Sequence, residues 1–557
     1  MKVSFAKACL AGPLAGLLVC VGAGLAQEAR APSATVAERA LMRQSAFEAV
    51  QQTQQSAAGA ALTQVGARFA ATKGELGELV RQRQDQIDRW TGLGARIAAA
   101  GEGATTLRDE RERTGKAIRD LDARLDREFP EFAELSSPRP VSENEAQALL
   151  GEDEALILIF SSPGNSYVWA ITRTDADWTR VEQPEKEVAG KVKLLRAALD
   201  PAGQTRAAQS SFEDEAQSAT TGSANAFPRA EAHRLYQLFL QPLESVWRGK
   251  KRLNIVASGP LSSLPFGVLV TGAPPGEDTD TAALRQTKWL VRSHALVTLP
   301  TVSSFRALRR AAPVRIASTS FRGFGAPRLG GVGDARGKVR SGGQYFRGLY
   351  ADVEAVRQLA SLPETEGELK QLAKALGADD SSVTTGEKAT ETAVKRADLS
   401  KTRVLAFATH GLVAGELEGL SEPALVFTPP DKATAEDDGL LTASEAAQLK
   451  LSADWVILSA CNTAAGDGNP GAEGLSGLAR AFFYAGARAL LVSHWPVLDI
   501  AAARLTTGTF DELRGDPGIG RAEALRRSMV ALIDDESSEL LARPMAWAPF
   551  VVVGEGL

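Results

Sequence analysis

Between Val404 and Val497 two short apolar runs each end in a reactive side chain. The first, Val404-Leu405-Ala406-Phe407-Ala408-Thr409, is followed by His410-Gly411. The second, Trp455-Val456-Ile457-Leu458-Ser459-Ala460, is followed by Cys461-Asn462-Thr463. Both runs read as buried strands. A histidine and a cysteine at the tips of neighbouring buried strands point to thiol-dependent catalysis. His410 and Cys461 are 51 positions apart, and the chain between them holds a strand at 424–428, an acidic loop and a helix at 442–449. That is enough chain for a right-handed crossover, so the two strands are expected side by side and parallel. In an open parallel sheet ligands bind outside the carboxyl ends of the strands, where both side chains then share one crevice.

The surrounding pattern supports such a sheet. From Arg252 strands and helices alternate: 253–257, 295–299 and 487–493 read as strands, and 351–360, 366–376 and 390–397 as helices. Alternation of this kind argues for a mostly parallel sheet flanked by helices. Earlier, 155–160 and 167–171 read as a hairpin around Pro163-Gly164-Asn165. Residues 200–226, rich in Ala, Ser, Gln, Thr and Gly, read as a loop. Residues 27–135 are helix-rich. Leu76, Val80, Ile87, Trp90 and Ile97 form one stripe, and Leu107, Ile118, Leu121 and Leu125 another, across the breaker Gly101-Glu102-Gly103. The two stripes predict an α-helical hairpin with coiled-coil-like packing, either a packing element or a partner-binding arm. No 34-residue repeat is visible in it.

The cysteine count sharpens the opening pair. The chain has three cysteines: Cys9, Cys20 and Cys461. Residues 1–26 read as a secretory signal peptide, with Lys2 and Lys7, an apolar run from Ala8 to Ala23, and Gly24-Leu25-Ala26 before the cut. The expected localisation is therefore exported, periplasmic or secreted, with no membrane association after cleavage. A chain cut after Ala26 keeps only Cys461, which has no internal disulfide partner. A lone cysteine is often an inert, small hydrophobe. Its setting at a strand end, matched by His410, argues for chemistry instead.

A thiol nucleophile needs a proton donor for the leaving group, and His410 supplies one. Gly411 brings a backbone N–H without a Cβ in the way. With the N–H of Cys461 it makes a candidate oxyanion hole. His494 ends the next strand and is a candidate crevice-lining residue. Asp499 has two readings: an N-cap for the helix 500–505, or a carboxylate in a specificity pocket that favours a basic residue before the cut. His233 reads as a surface residue of a charged helix, and His294 as a structural hydrogen-bonding group. One cysteine and scattered histidines do not make a zinc site, and no cofactor is implied. A redox thiol would lack a resolving cysteine. The formal net charge is -5, with no Lys/Arg block interleaved with aromatics, so nucleic-acid binding has no support.

Phe407-Ala408-Thr409-His410-Gly411 and Leu458-Ser459-Ala460-Cys461-Asn462-Thr463 together resemble the signatures of the CHAT domain family. These are caspase-like cysteine peptidases often fused to TPR helices. Leu264-Pro265-Phe266, Leu440-Leu441-Thr442-Ala443, 473–482 and Ser493-His494-Trp495-Pro496-Val497 are also similar to that family. The resemblance runs from Ser142 to the C-terminus. It implies a caspase–haemoglobinase fold, divided here as 142–340 and a catalytic half 341–557. It also implies a His410–Cys461 dyad and hydrolysis of peptide bonds in a protein or peptide substrate. The chain departs from the family picture in its short helical region without a TPR array and in its signal peptide. A caspase-fold scaffold or regulatory interaction protein with little turnover is the competing function.

Overall fold

The computed structural model describes residues 36–53, 105–128, 140–200, 226–310, 319–331, 346–347, 350–362, 364–412, 423–434, 436–459, 477–495, 499–516 and 518–557, with single residues 79, 82, 86, 89 and 93. The segment 1–26 read as a signal peptide, most of the loop 200–226 and the stripe residues Leu76, Val80, Ile87, Trp90 and Ile97 lie outside the described residues.

Sixteen strands are described. They are β1 (Glu154–Ser161), β2 (Ser166–Thr172), β3 (Ala176–Val181), β4 (Arg252–Ala257), β5 (Ala295–Thr298), β6 (Thr319–Pro327), β7 (Phe346–Arg347) and β8 (Tyr350–Ala351). The remainder are β9 (Val383–Gly386), β10 (Thr402–Ala408), β11 (Gly411–Leu412), β12 (Ala424–Val426), β13 (Leu440–Thr442), β14 (Trp455–Ser459), β15 (Ala489–Ser493) and β16 (Phe550–Gly554). Eleven of them form one sheet in the order β3-β2-β1-β4-β5-β16-β15-β14-β10-β6-β9. Only the β1–β2, β2–β3 and β15–β16 pairings are antiparallel. The mostly parallel sheet expected from the alternating pattern is present, and one sheet runs across both halves. The C-terminal β16 closes the seam, inserted between β5 and β15.

Two-residue alternation gives the central strands two buried faces. Trp455 and Ile457 of β14 join one core with Ala406 and Ala408, under the helices Glu185–Leu199, Glu364–Ala375 and Asp499–Gly515. Val456 and Leu458 join the other with Leu405 and Phe407, under Val302–Arg310 and Gly477–Ala485. Phe407 touches the rings of Phe324 and Phe482, 5.9 and 5.1 Å away. Burying a side chain of this size stabilises by about 1.5–3 kcal/mol. A third, smaller cluster of Leu329, Val356, Leu359, Leu412, Val426 and Leu440 lies beside the carboxyl end of β10.

The helix Val36–Thr53 is part of this packing. Ala46, Phe47 and Val50 are buried on the second face, and Phe47 meets the Trp169 ring of β2. Arg43 makes two 2.7 Å bonds to the buried Glu143. The Gln51 amide accepts from the Val141 N–H and donates to its carbonyl. The apolar side of this helix therefore packs as core. In the hairpin region Leu79 and Leu93 are buried, and Arg89 bonds Glu110 of the helix Thr105–Glu128.

Four strands of the eleven-stranded sheet are missing from the sequence reading: β3, β6, β9 and β16. β6 carries Gly323 and Gly325, which break the usual β-branched signal. The glycines are used for close approach: a Cβ at Gly325 would overlap the carbonyl of Ala408.

Candidate functional site

β10 lies between β6 and β14, parallel to both. Its last partner pair with β14 is Ala408 and Ser459. In sequence His410 and Cys461 each follow their strand's last paired residue by two positions. Cys461, with the rest of 460–476, lies outside the described residues. So do the side chain of Asp499 and the loop Asp467–Gly471.

His410 is held at both its main chain and its ring. Its carbonyl accepts the Val426 N–H at 3.0 Å, and the preceding Thr409 hydroxyl donates to the Val426 carbonyl at 2.6 Å. Val426 belongs to β12, the middle strand of the small sheet β11-β12-β13 that branches off at this point. His410 is buried, and its Nε2 lies 2.8 Å from the carbonyl oxygen of Ala360. A carbonyl only accepts, so Nε2 carries the proton in that bond.

Gly411 opens β11, opposite Leu425. Val426 bonds to His410, so the neighbouring Gly411–Leu425 pair is the non-hydrogen-bonded kind and the Gly411 N–H is directed away from β12.

The segment that carries Ala360 is anchored along its length. Asp352 caps the helix Val353–Arg357. The Gly330 and Gly331 N–H groups donate to the carbonyls of Arg357 and Leu359, at 2.6 and 3.1 Å. Arg357 donates to the Pro430 carbonyl at 3.0 Å. Asp438 accepts from the Ala351 N–H at 2.8 Å and from the Leu440 N–H at 3.1 Å. Burial pushes the Asp438 carboxyl above the usual carboxylate range, against these two bonds. None of these supports was anticipated from sequence. A backbone carbonyl carries no residue signature; the turn Asp437-Asp438-Gly439 was the visible mark.

His494 follows β15, the strand on the other side of β14. It is buried; its N–H donates to the Pro549 carbonyl and its own carbonyl accepts from Arg196, both at 2.9 Å. The Arg196 guanidinium lies 5.3 Å above the Trp495 ring. Burial, with the Arg196 charge adding to it, pushes the His494 imidazole down to about 3. His494 thus presents a neutral ring, with Nδ1 enclosed and unbonded. Asp499 is the first residue of the helix Asp499–Gly515.

His233 differs from the surface reading: its Nδ1 lies 2.8 Å from the Val270 carbonyl, in a half-buried position. The helix turns one face to the core through Ala232, Leu235 and Tyr236, and this carries His233 inward. His294 has the structural role expected, with Nδ1 2.7 Å from the Ser293 hydroxyl. Among the described residues no group of three or more His, Cys, Asp or Glu is placed to hold a metal ion, and no helix is long and apolar enough to cross a membrane.

The profile of the CHAT domain matches residues 229–555. The chain belongs to the CHAT domain family. The match begins beyond β1–β3, although those strands pair into the same sheet. Tetratricopeptide repeat protein 28 of Mus musculus is 25% identical over 374 residues, and that of Homo sapiens 24%. Each alignment covers 59% of this chain and 13% of the relative, so the chain corresponds to a small part of those proteins. Among solved structures, the Arg-specific cysteine proteinase gingipain R aligns at 10% identity with a TM-score of 0.33, covering 59% of this chain and 68% of the other. The Saccharomyces cerevisiae separase–securin complex aligns at 11% identity with a TM-score of 0.40, covering 76% and 31%. As a CHAT domain the chain has a peptidase-like scaffold.

Proposed function

We propose that this CHAT protein is an exported cysteine endopeptidase that uses Cys461 and His410. The register of β10 and β14 supports the reading, because the strands that lead into the histidine and cysteine motifs lie side by side and parallel, with Ala408 opposite Ser459. The Cys461 sulfur attacks the scissile carbonyl, and the oxyanion is held by the N–H groups of Gly411 and Cys461. His410 takes the thiol proton on Nδ1 and delivers it to the departing amine as the C–N bond breaks. Water then hydrolyses the thioester, returning the thiol and releasing the acid. No cofactor enters. Asp499 either caps its helix or directs its carboxylate to a basic residue before the cut. The helix Thr105–Glu128, rich in charge, is the surface left for a protein partner.

The burial of His410 favours a second reading, a closed scaffold with little turnover of its own. A fluorogenic peptide mixture randomised at each position separates the two. The protein should cleave it and Cys461→Ala should not; equal cleavage by both removes Cys461 as nucleophile. N-terminal sequencing of secreted protein should start at Gln27.

A further inference from the structure

We infer that Asp438 is a positioning residue for His410, joining the element that holds its main chain to the element that holds its ring. This rests on the proposed role of His410. Two separate supports converge on that histidine. One is the small sheet: β13 pairs with β12 through Val426 and Leu440, and Val426 bonds to the His410 carbonyl. The other is the segment 351–360, whose last residue offers its carbonyl to Nε2. The Asp438 carboxylate reaches both, with Oδ1 accepting from Leu440 at the start of β13 and Oδ2 from Ala351 at the start of the segment.

The supports also share a core. Val356 and Leu359 of the segment pack with Leu412, Ala424, Val426 and Leu440 of the small sheet. A shift of one therefore moves the other. Asp438 is itself fixed, because its N–H donates to Glu391 at 2.8 Å. Glu391 pairs with Lys395, which also bonds Glu445 at 2.7 Å. The neighbouring Asp437 accepts from the Thr392 N–H and hydroxyl at 3.1 and 2.7 Å. The 436–439 turn is thus clamped to the helix Glu391–Arg396, and Asp438 extends that clamp towards His410.

Asp438→Asn replaces one acceptor oxygen with an NH2 group that cannot accept, so one of the two ties is lost. The test uses the full chain, labelled with ¹⁵N-histidine and assigned by substituting the four histidines singly. In the wild type His410 should show a protonated Nε2. In Asp438→Asn that signal should broaden or vanish. Hydrogen exchange should quicken at least tenfold in 351–360 and 409–412 together, with the exchange of β1 and β4 unchanged. An unaltered His410 signal and unaltered exchange in either segment would overturn the inference. If Asp438→Asn does not fold, Asp438→Glu is read in the same two ways, since its longer arm moves both acceptor oxygens. Cleavage of the randomised peptide mixture is measured in parallel from pH 5 to 9. Activity in Cys461→Ala would sink the peptidase reading and leave the spectroscopic outcome standing. Loss in Cys461→Ala with an unmoved pH profile in Asp438→Asn would sink only the positioning role.

Discussion

The Nε2 of His410 and the carbonyl oxygen of Ala360 lie 2.8 Å apart, across 50 residues of chain. Because a carbonyl only accepts, that bond places a proton on Nε2. It also makes the proposed site depend on the backbone path of residues 357–360, far from either motif. A ring fixed by one backbone group is sensitive to sub-ångström shifts of that group, since proton transfer falls off quickly with misplacement.

Gly331 is the most direct way to move Ala360. A Cβ there would overlap the Gln358 carbonyl oxygen and lie 2.7 Å from that of Leu359. Gly331→Ala should displace the segment, costing about 1–3 kcal/mol as overpacking does. Cleavage of the peptide mixture should fall at least tenfold. Gly367→Ala is the control, because nothing lies within 4 Å of a Cβ at that position. Thermal melts and initial rates of both variants check this; equal rates for the two would show that the 357–360 path does not matter.

A second prediction concerns the carboxylates behind the small sheet. Glu391 is pushed up to about 8, first by burial, against the hydrogen bonds it accepts from Lys395 and Asp438. Burial also works to raise Glu445, but its bonds from Lys395 and Thr442 outweigh this and hold it below the usual range. One lysine thus neutralises one of two carboxylates, and Glu391 keeps a proton near neutrality. A carboxyl raised on folding stabilises fully below its unfolded value, and that contribution is lost as pH rises through the folded value. Between pH 6 and 9 the wild type should lose melting temperature relative to Glu391→Gln, which cannot ionise. Parallel pH dependence in the two proteins would contradict this ionisation.

The sequence made the centre of the sheet legible because β10, β14 and β15 are nearly continuous apolar runs buried on both faces. It also placed the helix Glu391–Arg396, whose Thr390 caps its first turn, and the start of the short helix Ala443–Ala446, which Thr442 and Glu445 close with a capping box. Strands with little local signal were hidden. β6 is interrupted by glycines that matter only beside β10, and β9 is four half-exposed residues on the sheet edge. At the site His410 was legible by its place after a strand. Its supports were not, because Ala360 acts through a carbonyl and Asp438 through two amides distant in sequence. The Val36–Thr53 helix was legible as a helix, but its docking depends on bonds that join Arg43 to Trp169 and Glu143, 126 and 100 residues away.

His494 gives a prediction with the opposite sign. Burial lowers its imidazole to about 3, so the folded protein keeps it neutral while the unfolded chain protonates it near the ordinary histidine value. Its contribution to stability is present above about 6.5 and is lost as pH falls towards 3. His294 is also lowered, mainly by burial, and adds to the same trend. His494→Gln removes one of the two, so its melting temperature should fall less between pH 7 and 5 than that of the wild type. The acid limb of peptide cleavage should stay where it is, because a ring neutral throughout that range cannot set it. A limb that moves in His494→Gln but not in His410→Gln would transfer the proton-donor role from the end of β10 to the end of β15.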